Sequence, residues 1–118
     1  MKFLSIYKTA ERGGPPSADE ICKMGNLIEA GMRSGYLLAV EGCMPSATGA
    51  RVRLSNGNLT VTDGPFTEAK ELIVGWAILQ ANSKEEVLAM TRHFLKIAGD
   101  GECELRQIME EGGCSPQQ

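Results

Sequence analysis

The sequence predicts an α+β fold in which two helices cover one face of an antiparallel sheet. Three observations support this prediction. Two segments begin with a helix-capping sequence, an Asn-Gly pair separates two alternating strands, and several short apolar runs have the two-residue period of strands. With 118 residues, of which 42% are apolar and 23% charged, the chain has the size and composition of one globular domain.

The strands of the main sheet are predicted from their apolar patterns. Residues 2–8 place Phe3 on one face and Leu4 on the other, so both faces of this strand are apolar. Residues 36–43 form a second strand. The long apolar run over residues 71–81 predicts another strand that is buried on both sides.

Two helices are predicted from their capping boxes, in which a Ser side chain and a Glu three residues later satisfy the first free backbone N–H groups. The boxes are Ser17 with Glu20 and Ser83 with Glu86, and the helices end at Gly35 and Gly99. The residues that share the inward faces are Ile21, Met24, Ile28 and Met32 in the first helix and Val87, Thr91, Phe94, Leu95 and Ala98 in the second.

A hairpin is predicted over residues 51–61, because Asn56-Gly57 is the favoured pair of a type I′ turn. A two-residue turn sets the pairing of the flanking strands and separates their side chains into two faces. The apolar face consists of Val52, Leu54, Leu59 and Val61, and the polar face of Arg51, Arg53, Thr60 and Thr62.

With a last strand at residues 102–109, the element order is β-α-β-β-α-β with the hairpin inserted between the two middle strands. This is the ferredoxin-like split motif. Residues 1–110 are expected to form one domain and residues 111–118 a flexible tail. Two helices cover only one face of the sheet, so the apolar second face predicts a homodimer with facing sheets.

Composition narrows the classes of partner and compartment. The net charge of −3 and the few aromatic residues (5%) argue against binding to nucleic acid or to an anionic membrane. No signal peptide or membrane span is recognised, so a cytoplasmic protein is expected. The four cysteines lack CxxC spacing and only one histidine exists, which predicts reduced, buried thiols and neither metal nor cofactor: Cys22, Cys43, Cys103 and Cys114.

Two carboxylates are candidate catalytic residues. Glu41 falls within a strand, on the predicted face of Leu37 and Ala39, and partial burial would make it a proton carrier; the alternative is a solvated strand end. Asp63 precedes Gly64-Pro65, and Pro65 lacks the N–H that a turn-capping aspartate uses. Asp63 therefore either bonds a later N–H, such as that of Phe66, or is free to act in a site.

Charged residues on either side of this bend are candidate ligand-binding groups. Arg51 and Arg53 project from the polar face of the hairpin and would hold a small organic anion, or else are simply solvated. Glu68 and Lys70 follow the bend, where pairing with each other or with the arginines is the alternative to ligand binding. His93 is expected on the exposed side of the second helix, without a role.

The segment VTDGPFTEAKELIVGWAI resembles the signature of the DGPF branch of YCII-related proteins. The resemblance extends from about residue 2 to residue 109 and includes Glu41-Gly42 and Gly75. It implies a dimeric α+β barrel. It also makes Asp63 a site residue, while the histidine that YCII proteins carry near the first helix is missing here.

The residues and the resemblance leave two functions open beside that of a purely structural dimer. One is a cofactor-independent enzyme of isomerase, lyase or hydrolase type, in which Asp63 or Glu41 moves a proton in a cleft of the barrel. The other is a small-ligand-binding or regulatory module without catalysis, as implied by the association of some DGPF domains with alternative sigma factors.

Overall fold

The computed structural model describes residues 1–11 and 14–110. In chain order its elements are β1 (Lys2–Thr9), α1 (Ala18–Ser34), β2 (Leu37–Gly42), a 3₁₀ turn (Ser46–Thr48), β3 (Ala50–Ser55), β4 (Asn58–Asp63), β5 (Leu72–Gln80), α2 (Lys84–Ala98) and β6 (Glu102–Gln107). The predicted α+β fold is confirmed, with strand and helix bounds within two residues of those expected. The predicted tail lies outside the described residues.

The four-stranded sheet has the order β2-β5-β1-β6, and every neighbouring pair is antiparallel. This is the strand order of the ferredoxin-like split motif, in which the first and third main strands occupy the centre. The two central strands, β1 and β5, are those that the sequence predicts to be apolar on both faces. The helices pack on one face only, which we call the helix face; the opposite side of the sheet is called the open face.

The core lies between α2 and the helix face. Its buried residues are Phe3, Leu37, Leu79, Ala81 and Val87. Val87 is 0% exposed and is the largest fully buried side chain among the described residues. The predicted inward face of α2 is therefore confirmed at Val87 and Thr91, the two buried residues of this helix.

Helix α1 packs less closely than its sequence predicts. Its capping box with Ser17 is complete and Gly35 ends it in the left-handed conformation. Of the predicted inward face, however, Ile21 is 59% and Met32 47% exposed. The buried residue of this helix is instead Gly31, whose lack of a side chain lets the helix approach β2. Close packing is thus confined to the C-terminal half of α1.

The prediction of buried cysteines is wrong for two of them. Cys22 and Cys43 are exposed, because they lie on the outer side of α1 and just beyond the end of β2. Cys103 is half-buried, and burial raises the pKa of its thiol. The thiols of these three residues are free, and Cys114 lies outside the described residues.

Strands β3 and β4 form a separate two-stranded ribbon, which we call the arm (residues 50–63). Asn56 and Gly57 have φ values of 51° and 81°, as a type I′ turn requires. The register is the predicted one, with Val52 opposite Val61 and Leu54 opposite Leu59. All twelve strand residues of the arm are exposed, so its two faces are both open to solvent in the single chain.

In the described ranges, neither α1 nor α2 has the length and apolar content that a membrane-spanning helix needs.

Candidate functional site

A cavity of about 550 Å³ lies between the helix face and the two helices. It is bordered by the N-terminal half of α1, by the C-terminal half of α2 and by the ends of β1, β2 and β5. The cavity exists because α1 is held close to the sheet only near Gly31. The apolar side chains that give it its character are Ile21, Met24, Ile28, Val40, Leu37, Met90, Phe94 and Ile97.

A few polar side chains interrupt this apolar lining, and most of them already bond to their own chain. Tyr7 donates its hydroxyl to the carbonyl of Asp100 at 3.0 Å, and Thr91 donates to the carbonyl of Val87 at 2.8 Å. Glu20 accepts the backbone N–H of Ser17 at 2.8 Å. These bonds hold the polar groups in fixed positions around the cavity.

The floor of the cavity contains two glycines that face each other across the sheet, Gly42 in β2 and Gly75 in β5. A Cβ atom at Gly75 would lie 2.9 Å from the backbone oxygen of Glu41. The strands therefore approach each other here in a way that only glycine permits at residue 75.

Glu41 borders the cavity through its position in β2, but its side chain belongs to the open face. The register shifts between Leu37 and Ala39, so the strand turns by one residue. Leu37 is thereby buried on the helix face, whereas Ala39 and Glu41 share the open face. The prediction that Glu41 shares a face with Leu37 is wrong, and this β-bulge is the reason.

On the open face, Glu41 forms one row of cross-strand neighbours with Trp76, Ile6 and Glu104. The next row contains Ala39, Ile78, Leu4 and Arg106. The centre of the open face is therefore apolar, with charged residues on both edge strands. The side chain of Glu41 is exposed and makes no hydrogen bond or ion pair within residues 1–11 and 14–110.

Ion pairs neutralise the charges at the other edge of the open face. Lys8 contacts Glu104 at 2.9 Å, and Arg106 contacts the same carboxylate at 3.2 Å. The hydrogen bond from Lys8 is the main reason that the pKa of Glu104 lies below its usual value of 4.5. The same bond raises the pKa of Lys8 above 10.5. Glu104 is thus held charged by two cations, whereas the side chain of Glu41 makes no ion pair among the described residues.

Replacing Lys8 with methionine is expected to change how the free energy of unfolding depends on pH in the acid range. Because the pKa of Glu104 is lower in the folded protein than in the unfolded chain, its contribution is complete above about pH 4.5 and is lost as the pH falls through the folded-state value. In Lys8→Met, NMR titration should show the Glu104 pKa moving upward, and the free energy of unfolding should fall less steeply below pH 4.5. Lys2→Met, at an exposed position, is the control. Equal titration curves in wild type and Lys8→Met would contradict the pairing.

The bend after the arm packs against the 3₁₀ turn. The Gly64–Pro65 peptide is cis, and the Gly64 N–H donates to the carbonyl of Gly49 at 2.9 Å. The Phe66 N–H donates to the hydroxyl of Ser46 at 3.0 Å, and that hydroxyl donates to the carboxylate of Glu11 at 2.9 Å. These contacts fix the bend, so we call residues 45–49 and 64–66 the corner.

The hydrogen bonds of the corner show whether Asp63 caps the turn, in which Pro65 has no N–H to donate. The Phe66 N–H, the nearest alternative donor, is bonded to Ser46 and not to Asp63. Asp63 is exposed at the end of β4, and its side chain makes no hydrogen bond or ion pair in the part of the chain that the structure describes. It is not a turn cap.

Arg51 and Glu68 are brought together by the corner. Their side chains pair at 2.6 Å, and the guanidinium lies 3.9 Å from the centre of the Phe66 ring. The hydrogen bond from Arg51 lowers the pKa of Glu68. Arg53 and Lys70 are exposed, and they make no ion pair among the described residues.

Of the six residues predicted for a site, only Arg51 and Glu68 touch each other, and only Glu41 borders the cavity. Their roles stay predictions. The cavity itself was missed, because its lining comes from helix faces and strand ends that the sequence marks only as core. One signal was present: Gly25 interrupts the middle of α1, where a core-facing helix would normally carry a larger residue. Within the described ranges, no cluster of three metal-ligating side chains occurs.

Comparison with known proteins gives a family match and a curated relative. Residues 1–111 match the sequence profile of the YCII-related domain. A 61-residue segment is 34% identical to an uncharacterised protein of Rhizobium meliloti (strain 1021). This segment is 52% of the chain and spans about half (49%) of that relative.

The protein is thus a ferredoxin-like α+β domain with a cavity between its helices and its sheet. The profile match covers nearly the entire chain, and the chain belongs to the YCII-related domain family.

Proposed function

We propose that this YCII-related protein binds a small, mainly apolar organic molecule in the cavity between its helices and its sheet. The cavity carries this proposal. Its volume of about 550 Å³ falls within the range of small-molecule sites, roughly 300–1,000 Å³. Its lining also has the composition of such sites, with many apolar side chains and a few fixed polar groups.

Gly25 supplies a direct test, because it lines the cavity and a Cβ atom there meets nothing within 4 Å. Gly25→Leu should fill part of the cavity without a steric conflict. Gly25→Ala is the matched control, since both substitutions favour the helix by about 0.5–1 kcal/mol while only leucine takes up ligand volume.

The measurement is ligand-observed NMR with a panel of small aromatic carboxylates, lactones and indole, followed by titration of any binder. We expect Gly25→Leu to weaken binding at least tenfold and Gly25→Ala to leave it within twofold of wild type. Both variants should unfold at a higher temperature than wild type. Binding that is equally strong in Gly25→Leu would place the ligand elsewhere, and a panel without a binder would count against the proposal.

Catalysis by Glu41 is a second candidate function, and one observation favours it. Glu41 is unpaired beside Trp76, whereas Glu104 and Glu68 are each held by a cation. An unpaired carboxylate next to an apolar surface is suited to take up and return a proton. A cofactor-independent isomerase, lyase or hydrolase reaction would use it. Loss of turnover in Glu41→Gln with unchanged ligand affinity would distinguish this function from binding alone.

We also propose that the active form is a homodimer in which the open faces of two copies meet. The open face supports this, because four large apolar residues at its centre are only half-buried and no element packs on them within the described residues: Leu4, Ile6, Trp76 and Ile78. In such a dimer Glu41 would lie in an enclosed space between the sheets.

Assignment to the DGPF branch is part of the same proposal. It is supported by the corner, where Gly64 packs directly on Ser46 and Phe66 is bonded to it. A small organic anion held by Arg51 or Arg53, and a regulatory role linked to transcription, stay predictions from the sequence.

A further inference from the structure

The arm has an apolar face that nothing in the described chain covers. Val52, Leu54, Leu59 and Val61 share this face and are 65–71% exposed. An isolated two-stranded ribbon is only marginally stable in water, and it gains stability when a face packs against another element. Within residues 1–11 and 14–110, nothing packs against the apolar face of the arm.

The contacts where the arm joins the corner determine the direction in which its apolar face points. On the polar face, Arg51 lies over Phe66 and pairs with Glu68, so that face is turned toward its own chain. Successive side chains of a strand point to opposite sides, so Val52 and its three apolar neighbours are turned away from the corner. The apolar face is thus held outward by these contacts.

The exposed surface of the chain is much larger than that of a monomeric protein of its size. The accessible area is 8835 Å², whereas a monomer of 12.7 kDa typically exposes about 6,200 Å². The radius of gyration is 16.8 Å, against about 13.5 Å for a compact domain of this length. The accessible area also includes residues 12–13 and 111–118, and the excess of roughly 2,600 Å² is larger than the ~800 Å² that each partner buries in a standard interface.

A second copy of the chain is the partner that fits this surface best. The protein is acidic, with a net charge of −3, which opposes binding to an anionic membrane. It also has a second uncovered apolar surface, the open face, flanked by Ile73, which is 54% exposed. In a two-fold dimer the arm of each copy packs on the other copy. The same symmetry operation therefore covers both the apolar face of the arm and the open face.

We propose that the apolar face of the arm is an intersubunit surface that packs against a second copy of the chain, extending the interface of the open faces. This inference rests on the proposed homodimer. The inserted hairpin, which the split motif itself does not need, would then contact the partner subunit. This contact would shield the apolar residues of the arm from water.

Photocrosslinking at neighbouring positions tests this directly. The photoreactive residue p-benzoylphenylalanine replaces Leu54 in one variant and Arg53 in another. These positions are adjacent but lie on opposite faces of the arm. We expect irradiation to give at least tenfold more covalent dimer from position 54 than from position 53. Both side chains are exposed, so the subunit fold should be retained, as checked by circular dichroism.

Analytical ultracentrifugation of Leu54→Ser/Leu59→Ser completes the test, with a dimer dissociation constant expected to rise at least tenfold. A dimer that persists with unchanged affinity and without crosslinks from position 54 would overturn the role of the arm while leaving the facing sheets intact. A wild-type monomer at micromolar concentration would overturn both proposals. Crosslinks that form only to added anionic vesicles or to another protein would also overturn this one.

Discussion

Replacing Gly64 with alanine is expected to destabilise the protein by about 2–3 kcal/mol, because the corner has no room for a side chain at this position. A Cβ atom at Gly64 would lie 1.7 Å from the carbonyl oxygen of Ser46. This neighbour is backbone, so relief requires the 3₁₀ turn to move away. The bonds from Gly64 to Gly49 and from Phe66 to Ser46 would then be lost together.

Gly49→Ala is the matched control for this substitution. Gly49 belongs to the same corner, but its Cβ atom would lie 3.5 Å from the Ser46 oxygen, an ordinary contact. Its φ of −103° is also accessible to alanine. Urea unfolding should show a lower midpoint for Gly64→Ala and little change for Gly49→Ala. Similar midpoints for the two variants would show that the corner accommodates a side chain at Gly64 without a loss of folding free energy.

A second large effect is expected on assembly. Ile6→Lys should raise the dissociation constant of the proposed dimer at least a hundredfold, because it buries a charge in the apolar centre of the facing sheets. In the single chain the new ammonium lies beside Glu104, its neighbour in β6, so the subunit itself should fold. The effect is thus directed at the interface.

Sedimentation equilibrium over a range of concentrations measures this change, and Ile6→Val is its control. Valine keeps the open face apolar and removes one methylene from each subunit, about 1.6 kcal/mol for the two together, so its dissociation constant should stay within about 15-fold of wild type. If Ile6→Lys dimerises as tightly as wild type, the open face is not where the subunits meet.

Much of the fold was predictable because local chemistry specifies it. The turn of the arm follows from Asn56-Gly57, and the start of α1 from the box that Ser17 forms. The second box is only half formed: Glu86 donates its N–H to Ser83, but its carboxylate accepts from Asn82 instead of the cap residue. Such differences concern single hydrogen bonds and leave the element in place.

The site was less predictable, because it depends on register and packing. The bulge in β2 moves Glu41 to the open face, and nothing in the local sequence marks that extra residue. The exposure of Ile21 likewise depends on how far α1 stands from the sheet, which the approach of Gly31 to β2 decides. Helical periodicity identifies which side of a helix is apolar, but it does not say how closely that side is covered.

The two glycines in the floor of the cavity differ in how freely they can change. A side chain at Gly75 meets the Glu41 backbone, whereas a Cβ atom at Gly42 finds only the Val74 oxygen at 3.9 Å. A side chain at residue 42 would therefore narrow the cavity while the strand pairing is kept, whereas residue 75 has to stay glycine. The shape of the cavity can thus be altered from the edge strand β2 by a single substitution, without a change in the central strand β5.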